Sequence, residues 1–225
     1  MINLFYAATP NVVKNSILFR ELGLNYRLIP INVRQGVNKY KVFKNYFPVA
    51  RIPCVFDDGL FVFESIAILL HYSNKSQKFT FSSDTNQYTE MLKWMIWIET
   101  ALLGALSYLF LVNHRFKGDD KFSPVMDMLN EQSSECLMTL NKELEGKEYF
   151  VDNKYSILDM QAFALLNALY DRGQIGSELK NIIQYVEKIQ KRKAVIEAYE
   201  EFNSFNWNES ISENDLEVII KQLNK

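Results

Sequence analysis

The chain of 225 residues carries 25 Lys and Arg against 27 Asp and Glu, and 48% of its residues are hydrophobic. This balance is typical of folded globular proteins and argues against a disordered or collagen-like chain. A formal net charge of −2 offers little attraction to a phosphate backbone, so we expect no nucleic-acid partner.

Neither the cysteine content nor the amino terminus indicates export or a metal centre. Cys54 and Cys136 cannot build a disulfide framework, and no residues with metal-ligand spacing surround them. No basic segment followed by an apolar stretch opens the chain, so we expect a cytoplasmic protein. The membrane candidate, residues 91–112, is interrupted by Lys93 and Glu99, which favours a buried core helix over a membrane span.

The first part of the chain alternates between strand-like and helix-like segments. Ile2–Tyr6 is short, apolar and β-prone, and a helix then begins near Pro10 and ends at Gly23. Tyr26–Val33 is again strand-like, and its Pro30 has no amide donor, which predicts an edge strand. Strand, helix and strand in this order predict a parallel βαβ unit.

A hairpin and a helix follow a Lys-rich stretch at residues 34–46, which we predict to be a loop. Two short apolar strands flank Asp58-Gly59, a strong hairpin signal. Ser65 comes directly before the apolar segment Ile66–Tyr72 and is suited to cap it as a helix. This part of the chain is therefore predicted as β-α-β, loop, β-β-α.

The remainder of the sequence is predicted to be helical, beyond a Ser/Thr-rich linker at residues 77–84. Helical spacing of apolar residues recurs in six segments: Thr85–Arg115, Ser123–Glu145, Ile157–Tyr170, Leu179–Gln190, Ala194–Phe202 and Ile211–Leu223. Ser156 and Asp159 have the spacing of a capping box at the start of the third. We therefore expect an α/β domain over residues 1–76 and an all-helical domain over residues 85–225.

The usual motifs of side-chain catalysis are missing from this sequence. Patterns typical of hydrolases, metalloproteases and dinucleotide-binding proteins do not occur, and His71 and His114 are the two histidines. What is present is a small α/β layer with Pro53 at the head of its third strand and a polar cluster after its first strand.

This arrangement resembles the thioredoxin fold, and with the helical remainder the whole chain resembles a cytosolic glutathione transferase. The resemblance implies a cis peptide bond before Pro53, which presents the backbone of Ile52 to the cysteinyl part of glutathione. It also assigns Arg51 to the glutathione-binding loop. Glu64 and Ser65 match the family's Glu/Gln-Ser pair, which implies that Glu64 pairs with the ligand's ammonium group. Ser65 and the first amides of its helix would then receive the γ-glutamyl carboxylate.

Within the family, the chain most resembles the bacterial nu class, glutathione transferases with disulfide-reductase activity. The residues that carry this likeness are Phe5–Asn11, Gly23–Ile29, Phe63–Leu70 and Asn113–Phe116. Thr9 and Asn11 are the specific part, because they stand where a thioredoxin or glutaredoxin has its nucleophilic cysteine. The resemblance implies that the thiol comes from bound glutathione and that the Thr9 hydroxyl and Asn11 amide stabilise its thiolate.

The resemblance implies reduction of small disulfides, with conjugation to electrophiles and peroxide reduction as related possibilities. It further implies glutathione as co-substrate, no metal, a homodimer, and a site in the cleft between the two domains. A second hypothesis is a transferase-like binding or regulatory protein without turnover. A loop at residues 48–51 without its usual polar pair argues mildly for this second hypothesis. Asn38 also departs from the pattern, since it stands where a longer amide is typical of the nu class.

Simpler structural roles compete with several of these assignments. Thr9 and Ser65 are also ordinary helix caps. Tyr6 is placed as in transferase classes that activate the thiol with tyrosine, but we expect it to pack in the sheet. An aromatic stripe on the first long helix indicates core or a dimer interface; it consists of Trp94, Trp97, Tyr108 and Phe110. The last helical segment either covers the electrophile site or packs on the helical domain.

Overall fold

The computed structural model describes residues 1–116 and 119–223. The chain divides into two compact units, one made of Met1–Lys78 with Gln190–Lys225 and the other of Phe79–Ile189. The sequence grouped residues 190–225 with the helical domain, whereas this division groups them with the α/β part.

The first unit contains a four-stranded sheet in the order β2-β1-β3-β4. Its strands are β1 (Ile2–Tyr6), β2 (Tyr26–Pro30), β3 (Cys54–Asp57) and β4 (Leu60–Phe63). β1 and β2 are parallel, and β3 is antiparallel to both β1 and β4. The predicted βαβ unit, the edge position of β2 and the hairpin are confirmed. The hairpin turn places Asp58 and Gly59 in the left-handed region, with φ of 48° and 80°.

The α-helices described in this unit are α1 (Pro10–Glu21), α2 (Lys41–Tyr46), α3 (Ser65–Ser76), α9 (Lys193–Asn203) and α10 (Glu213–Leu223). The prediction of a loop at residues 34–46 is wrong, because two 3₁₀ turns precede α2 there. The physical reason is burial: the apolar side chains that alternate with the lysines of this stretch, Val37, Phe43 and Phe47, are fully buried.

The two faces of the sheet are covered by different helices. Phe5 pairs with Ile29 on one side and Cys54 on the other, so the three side chains share one face. This face packs with α2 residues and with Leu216 and Ile220 of α10 in one buried cluster. The alternate residues, such as Leu4, point to the opposite face, where α3 contacts β3 and α1 contacts α3 and α9.

The second unit is helical. It contains α4 (Asn86–Trp97), α5 (Leu103–Arg115), α6 (Ser123–Glu143), α7 (Ile157–Tyr170) and α8 (Lys180–Ile189). A π-helical turn, Ile98–Leu102, joins α4 to α5. The capping box of α7 is confirmed, since the Ser156 amide donates to Asp159 Oδ2 at 2.9 Å. The same carboxylate accepts from the Phe150 amide and the Tyr185 hydroxyl, both at 3.1 Å.

The α4–α5 stretch is less buried than the sequence predicts. Asn86–Arg115 is long and apolar enough to cross a membrane by length and composition, and 22% of its most apolar window is buried within the chain. Trp94 and Trp97 are half-buried and in edge contact, but Tyr108 and Phe110 are 63% and 70% exposed. The prediction of a buried core helix is therefore wrong for α5, because apolar composition alone does not distinguish a core face from an exposed one.

Candidate functional site

Three segments of the first unit meet at one end of the sheet. Phe5, near the end of β1, is paired with Cys54 at the start of β3, and Cys54 is also paired with Phe63 at the end of β4. The segments that follow β1, precede β3 and follow β4 therefore leave the sheet at the same edge. These segments carry the residues that the sequence singled out: Thr9, Asn11, Arg51, Ile52, Pro53, Glu64 and Ser65.

Thr9 and Asn11 stand at the amino end of α1 with free side chains. Thr9 is the N-cap with extended backbone, and Pro10 is the first helical residue, yet the Thr9 side chain makes no capping hydrogen bond. Neither side chain has a hydrogen-bond partner among the residues that the structure describes. The first turn of α1 contains no acidic residue, so the positive end of its dipole is not neutralised locally. A hydroxyl and a carboxamide are thus available to an anion here.

The other end of α1 is fixed by a polar cluster on α9. Arg20 donates to Glu201 Oε1 at 3.0 Å, and the Tyr26 hydroxyl donates to Glu201 Oε2 at the same distance. Ser16 also donates to this carboxylate. Since Ser16 and Arg20 lie in α1 and Tyr26 begins β2, the cluster ties α1 to the sheet and to α9.

The loop before β3 exposes an unpaired stretch of backbone. The Ile52–Pro53 bond is cis. Both ladders of β3 begin at Cys54, so the amide and carbonyl of Ile52 lie outside the sheet and are open to an extended ligand backbone. Pro53 is buried, Ile52 is half-buried and the Arg51 side chain is exposed.

The turn between β4 and α3 corrects one prediction. Ser65 is not the N-cap but the first residue of α3, and Glu64 occupies the cap position without a capping bond. Glu64 has φ of 69°, a positive value that non-glycine residues rarely adopt and that carries a conformational cost. Its side chain is exposed, whereas Ser65 is buried. Because no side chain caps α3, its first-turn amides are free to bind a carboxylate.

The cysteines are poor nucleophiles in this environment. Cys54 is fully buried on the α2-covered face of the sheet, and burial raises the pKa of its thiol well above the ordinary value. Burial, together with Glu135, also raises the pKa of Cys136. Both thiols are therefore protonated and inert at neutral pH. Among residues 1–116 and 119–223, no group of three His, Cys, Asp or Glu side chains is placed to hold a metal ion.

Tyr6, the last residue of β1, is buried in the sheet as predicted, and it also contacts the segment that follows α9. Its side chain is 2% exposed and lies against Phe205, with ring centroids 5.7 Å apart. Burial and the nearby Glu201 carboxylate raise the pKa of its hydroxyl above the ordinary value, so it stays protonated. In the described part of the chain this hydroxyl has no hydrogen-bond partner, and it borders a cavity of about 640 Å³ beside β2.

Asn38 supports the candidate site through a contact that the sequence did not predict. Asn38 Nδ2 donates to the Ala50 carbonyl at 2.7 Å and so holds the loop that leads to Ile52. The sequence marked Asn38 only as a departure from the family pattern, because a contact with a residue twelve positions away leaves no signal in residue type.

Known proteins share both this architecture and this sequence pattern. The family model described as "Glutathione S-transferase, N-terminal domain" matches residues 2–74, and the corresponding C-terminal domain model matches residues 111–202. The disulfide-bond oxidoreductase YfcG of Escherichia coli (strain K12) is 29% identical over 208 residues, which covers 88% of this chain and 94% of that protein. The transcriptional regulator URE2 of Saccharomyces cerevisiae is 33% identical over 98 residues, covering 40% of this chain and 28% of the regulator.

Solved structures of this family have the same fold. A glutathione transferase family member from Pseudomonas fluorescens pf-5, with two glutathione bound, superposes with a TM-score of 0.78 at 24% identity, covering 88% of this chain and 91% of that one. Ure2p in complex with glutathione gives a TM-score of 0.78 at 23% identity, covering 88% and 97%. The predicted architecture, a thioredoxin-like part and a helical part, is thereby confirmed. Since the two family models together span most of its length, the chain belongs to the glutathione transferase family.

Proposed function

We propose that this protein is a glutathione-dependent disulfide reductase that works with the thiolate of bound glutathione. The observation that carries the proposal is that the Thr9 and Asn11 side chains, at the amino end of α1, have no hydrogen-bond partner among the described residues. A helix cap would use the Thr9 hydroxyl on the helix itself, and here that hydroxyl is unused. The fully buried Cys54 is no competing nucleophile, because its thiol stays protonated.

In this proposal the tripeptide spans the shared edge of the sheet. The γ-glutamyl carboxylate binds Ser65 and the free first-turn amides of α3, where the helix dipole favours an anion. The exposed Glu64 pairs with the ligand's ammonium group. The unpaired amide and carbonyl of Ile52 bind the cysteinyl backbone, and the exposed Arg51 side chain lies in the same loop. This arrangement directs the sulfur toward α1.

The chemistry is thiol–disulfide exchange. The glutathione thiolate attacks one sulfur of a small disulfide, the S–S bond breaks, and the released thiolate takes up a proton. A second glutathione then attacks the mixed disulfide, so that two glutathione molecules are oxidised to one glutathione disulfide and the substrate is reduced to two thiols. Thr9 and Asn11 contribute by holding the attacking sulfur as a thiolate. Conjugation of the same thiolate to an electrophile, or reduction of a peroxide, needs the same two residues.

The likeness to YfcG, named a disulfide-bond oxidoreductase, supports the reductase over conjugation. The shorter match to the regulator URE2 supports a second candidate, a binding protein that keeps the glutathione site without turnover.

A reductase that consumes glutathione suits the cytoplasm, where the glutathione pool is kept reduced, and we place the protein there.

We also propose that the protein is a homodimer. Exposed apolar side chains on the α4–α5 stretch support this, because large apolar patches on a protein surface mark interaction sites. The side chains concerned are 41% to 70% exposed: Ile96, Tyr108, Phe110 and Leu111. A second copy covering them would bury surface of the kind that obligate dimers use. Sedimentation equilibrium of the wild type and a Phe110→Glu variant tests this; a monomeric wild type contradicts it.

Retention on glutathione-agarose followed by a hydroxyethyl disulfide reduction assay tests the proposed function. We expect binding and turnover, with Asn11→Ala lowering kcat more than it weakens glutathione binding and Ser65→Ala doing the reverse. Binding without turnover of disulfides, electrophiles or peroxides supports the regulatory candidate instead. A wild type that does not bind glutathione contradicts both.

A further inference from the structure

The carboxyl-terminal helix α10 is built into the face of the sheet that backs the glutathione loop. Leu216 and Ile220 are fully buried in the cluster that contains Phe43, Phe47 and Cys54. The start of α10 is fixed locally, because Ser212 donates to Asp215 at 2.6 Å and the Asp215 amide donates back to Ser212 at 3.1 Å. The helix therefore has a capped start and buries one apolar edge against this cluster.

α10 contacts α2 directly. Both helices share the buried cluster, and the Glu213 carboxylate accepts from the Val42 amide at 3.3 Å. α2 spans only Lys41–Tyr46, less than two turns, which is too short to be stable without tertiary packing. The position of α2 thus depends on the helix that covers it.

α2 in turn leads directly into the glutathione loop. The chain continues from Phe47, and the Ala50 amide donates to the Phe47 carbonyl at 2.8 Å. The Ala50 carbonyl accepts from Asn38, which lies just before α2. Ala50 has φ of 52°, so the turn is held in a conformation that its own sequence does not favour. Two residues later the chain reaches Ile52.

We propose that α10 is a positioning element for glutathione binding: by holding α2 in place, it fixes the Ala50–Ile52 backbone that receives the cysteinyl unit. This inference rests on the proposed function for the identity of the ligand. Leu216 and Ile220 act as positioning residues, since they touch α2 and the sheet and contribute no atom to the loop. α10 is thereby assigned a role in affinity for the tripeptide.

The test compares a Leu216→Ala/Ile220→Ala variant with Val218→Ala, a matched control on the same helix whose side chain is 54% exposed. At a temperature where thermal melts show both proteins folded, calorimetry measures the dissociation constant for glutathione. Hydroxyethyl disulfide kinetics separate KM from kcat. We expect the double variant to raise the dissociation constant and the KM for glutathione at least fivefold with little change in kcat, and the control to match the wild type.

Amide hydrogen exchange provides the second readout. We expect faster exchange in α2 and residues 47–52 of the double variant, with α7 unchanged. An unchanged glutathione affinity in a variant whose α10 exchanges freely overturns the proposal, since α10 then serves stability alone. If the double variant does not fold, Ile220→Val and Glu213→Ala take its place with the same expected directions. If the wild type binds no glutathione, the proposed function fails. The amide exchange rates of residues 47–52 in the double variant and the wild type then still show whether α10 holds this loop in place.

Discussion

Removing the Asn11 carboxamide should raise the pKa of the bound glutathione thiol. A free thiol has a pKa of about 8.5, and a hydrogen bond to a charged group contributes roughly 1.5 to 3 kcal/mol. At about 1.4 kcal/mol per pKa unit, Asn11→Ala is expected to raise the thiol pKa by about one to two units. We expect the lower end, because Asn11 is half-buried and water replaces part of the lost bond. Asn11→Asp should raise it further, since a carboxylate repels the thiolate.

The assay is a pH titration of the thiolate ultraviolet absorbance of the glutathione complex, paired with the pH dependence of kcat/KM. Asn25→Ala is the control, because Asn25 is exposed in the turn that follows α1, away from its amino end. At a pH well below both pKa values, the Asn11→Ala complex should hold about one tenth of the wild-type thiolate. An unchanged titration in Asn11→Ala and Asn11→Asp would refute the reasoning, because the thiolate would then be held by other groups.

Three further variants probe other parts of the account. Glu64→Gly should raise the free energy of unfolding in urea by up to about 1 kcal/mol, because glycine adopts its φ of 69° freely, while weakening glutathione binding; a less stable variant with unchanged affinity contradicts this. Cys54→Ala should keep full reductase activity and lose about 1 kcal/mol of stability, since its buried thiol packs but does not react; loss of turnover would assign it a chemical role. Burial raises the pKa of Asp159 to about 6 in the folded protein. The stabilisation gained from the protonated carboxyl is therefore fully present below the pKa of Asp in the unfolded chain and is lost as the pH rises through 6. Between about pH 4 and about pH 7, the free energy of unfolding of the wild type should fall by up to about 3 kcal/mol relative to that of Asp159→Asn. If the difference in unfolding free energy between the two proteins does not change with pH, this assignment is wrong.

Local signals in the sequence predicted much of the fold. Pro30 identified an edge strand, Asp58-Gly59 a hairpin, and Ser156 with Asp159 the start of a helix, and each of these is confirmed. These signals work because they report constraints within a few residues: a missing amide donor, a left-handed φ, or a capping hydrogen bond. The residues of the candidate site came from the same segments and from their likeness to a family.

What the sequence did not predict depends on distant packing. α2 was missed because Phe43 packs in a buried cluster with Leu216, far along the chain, and the short segment around it has no helical period of its own. The sequence left open whether Phe110, which is 70% exposed, belongs to the core or to a dimer interface, because apolar composition is the same in both cases. Ser65 was predicted to be the N-cap of α3 but is its first helical residue. The sequence did not reveal this, because a glutamate is not a residue type that predicts the positive φ found at Glu64.

A crystal structure of the protein with bound glutathione tests the central claim most directly. We predict that the tripeptide sulfur lies within hydrogen-bond distance of both Thr9 Oγ1 and Asn11 Nδ2, with the γ-glutamyl carboxylate at the amino end of α3. A sulfur directed away from these two side chains, or a tripeptide bound elsewhere on the chain, would contradict the account.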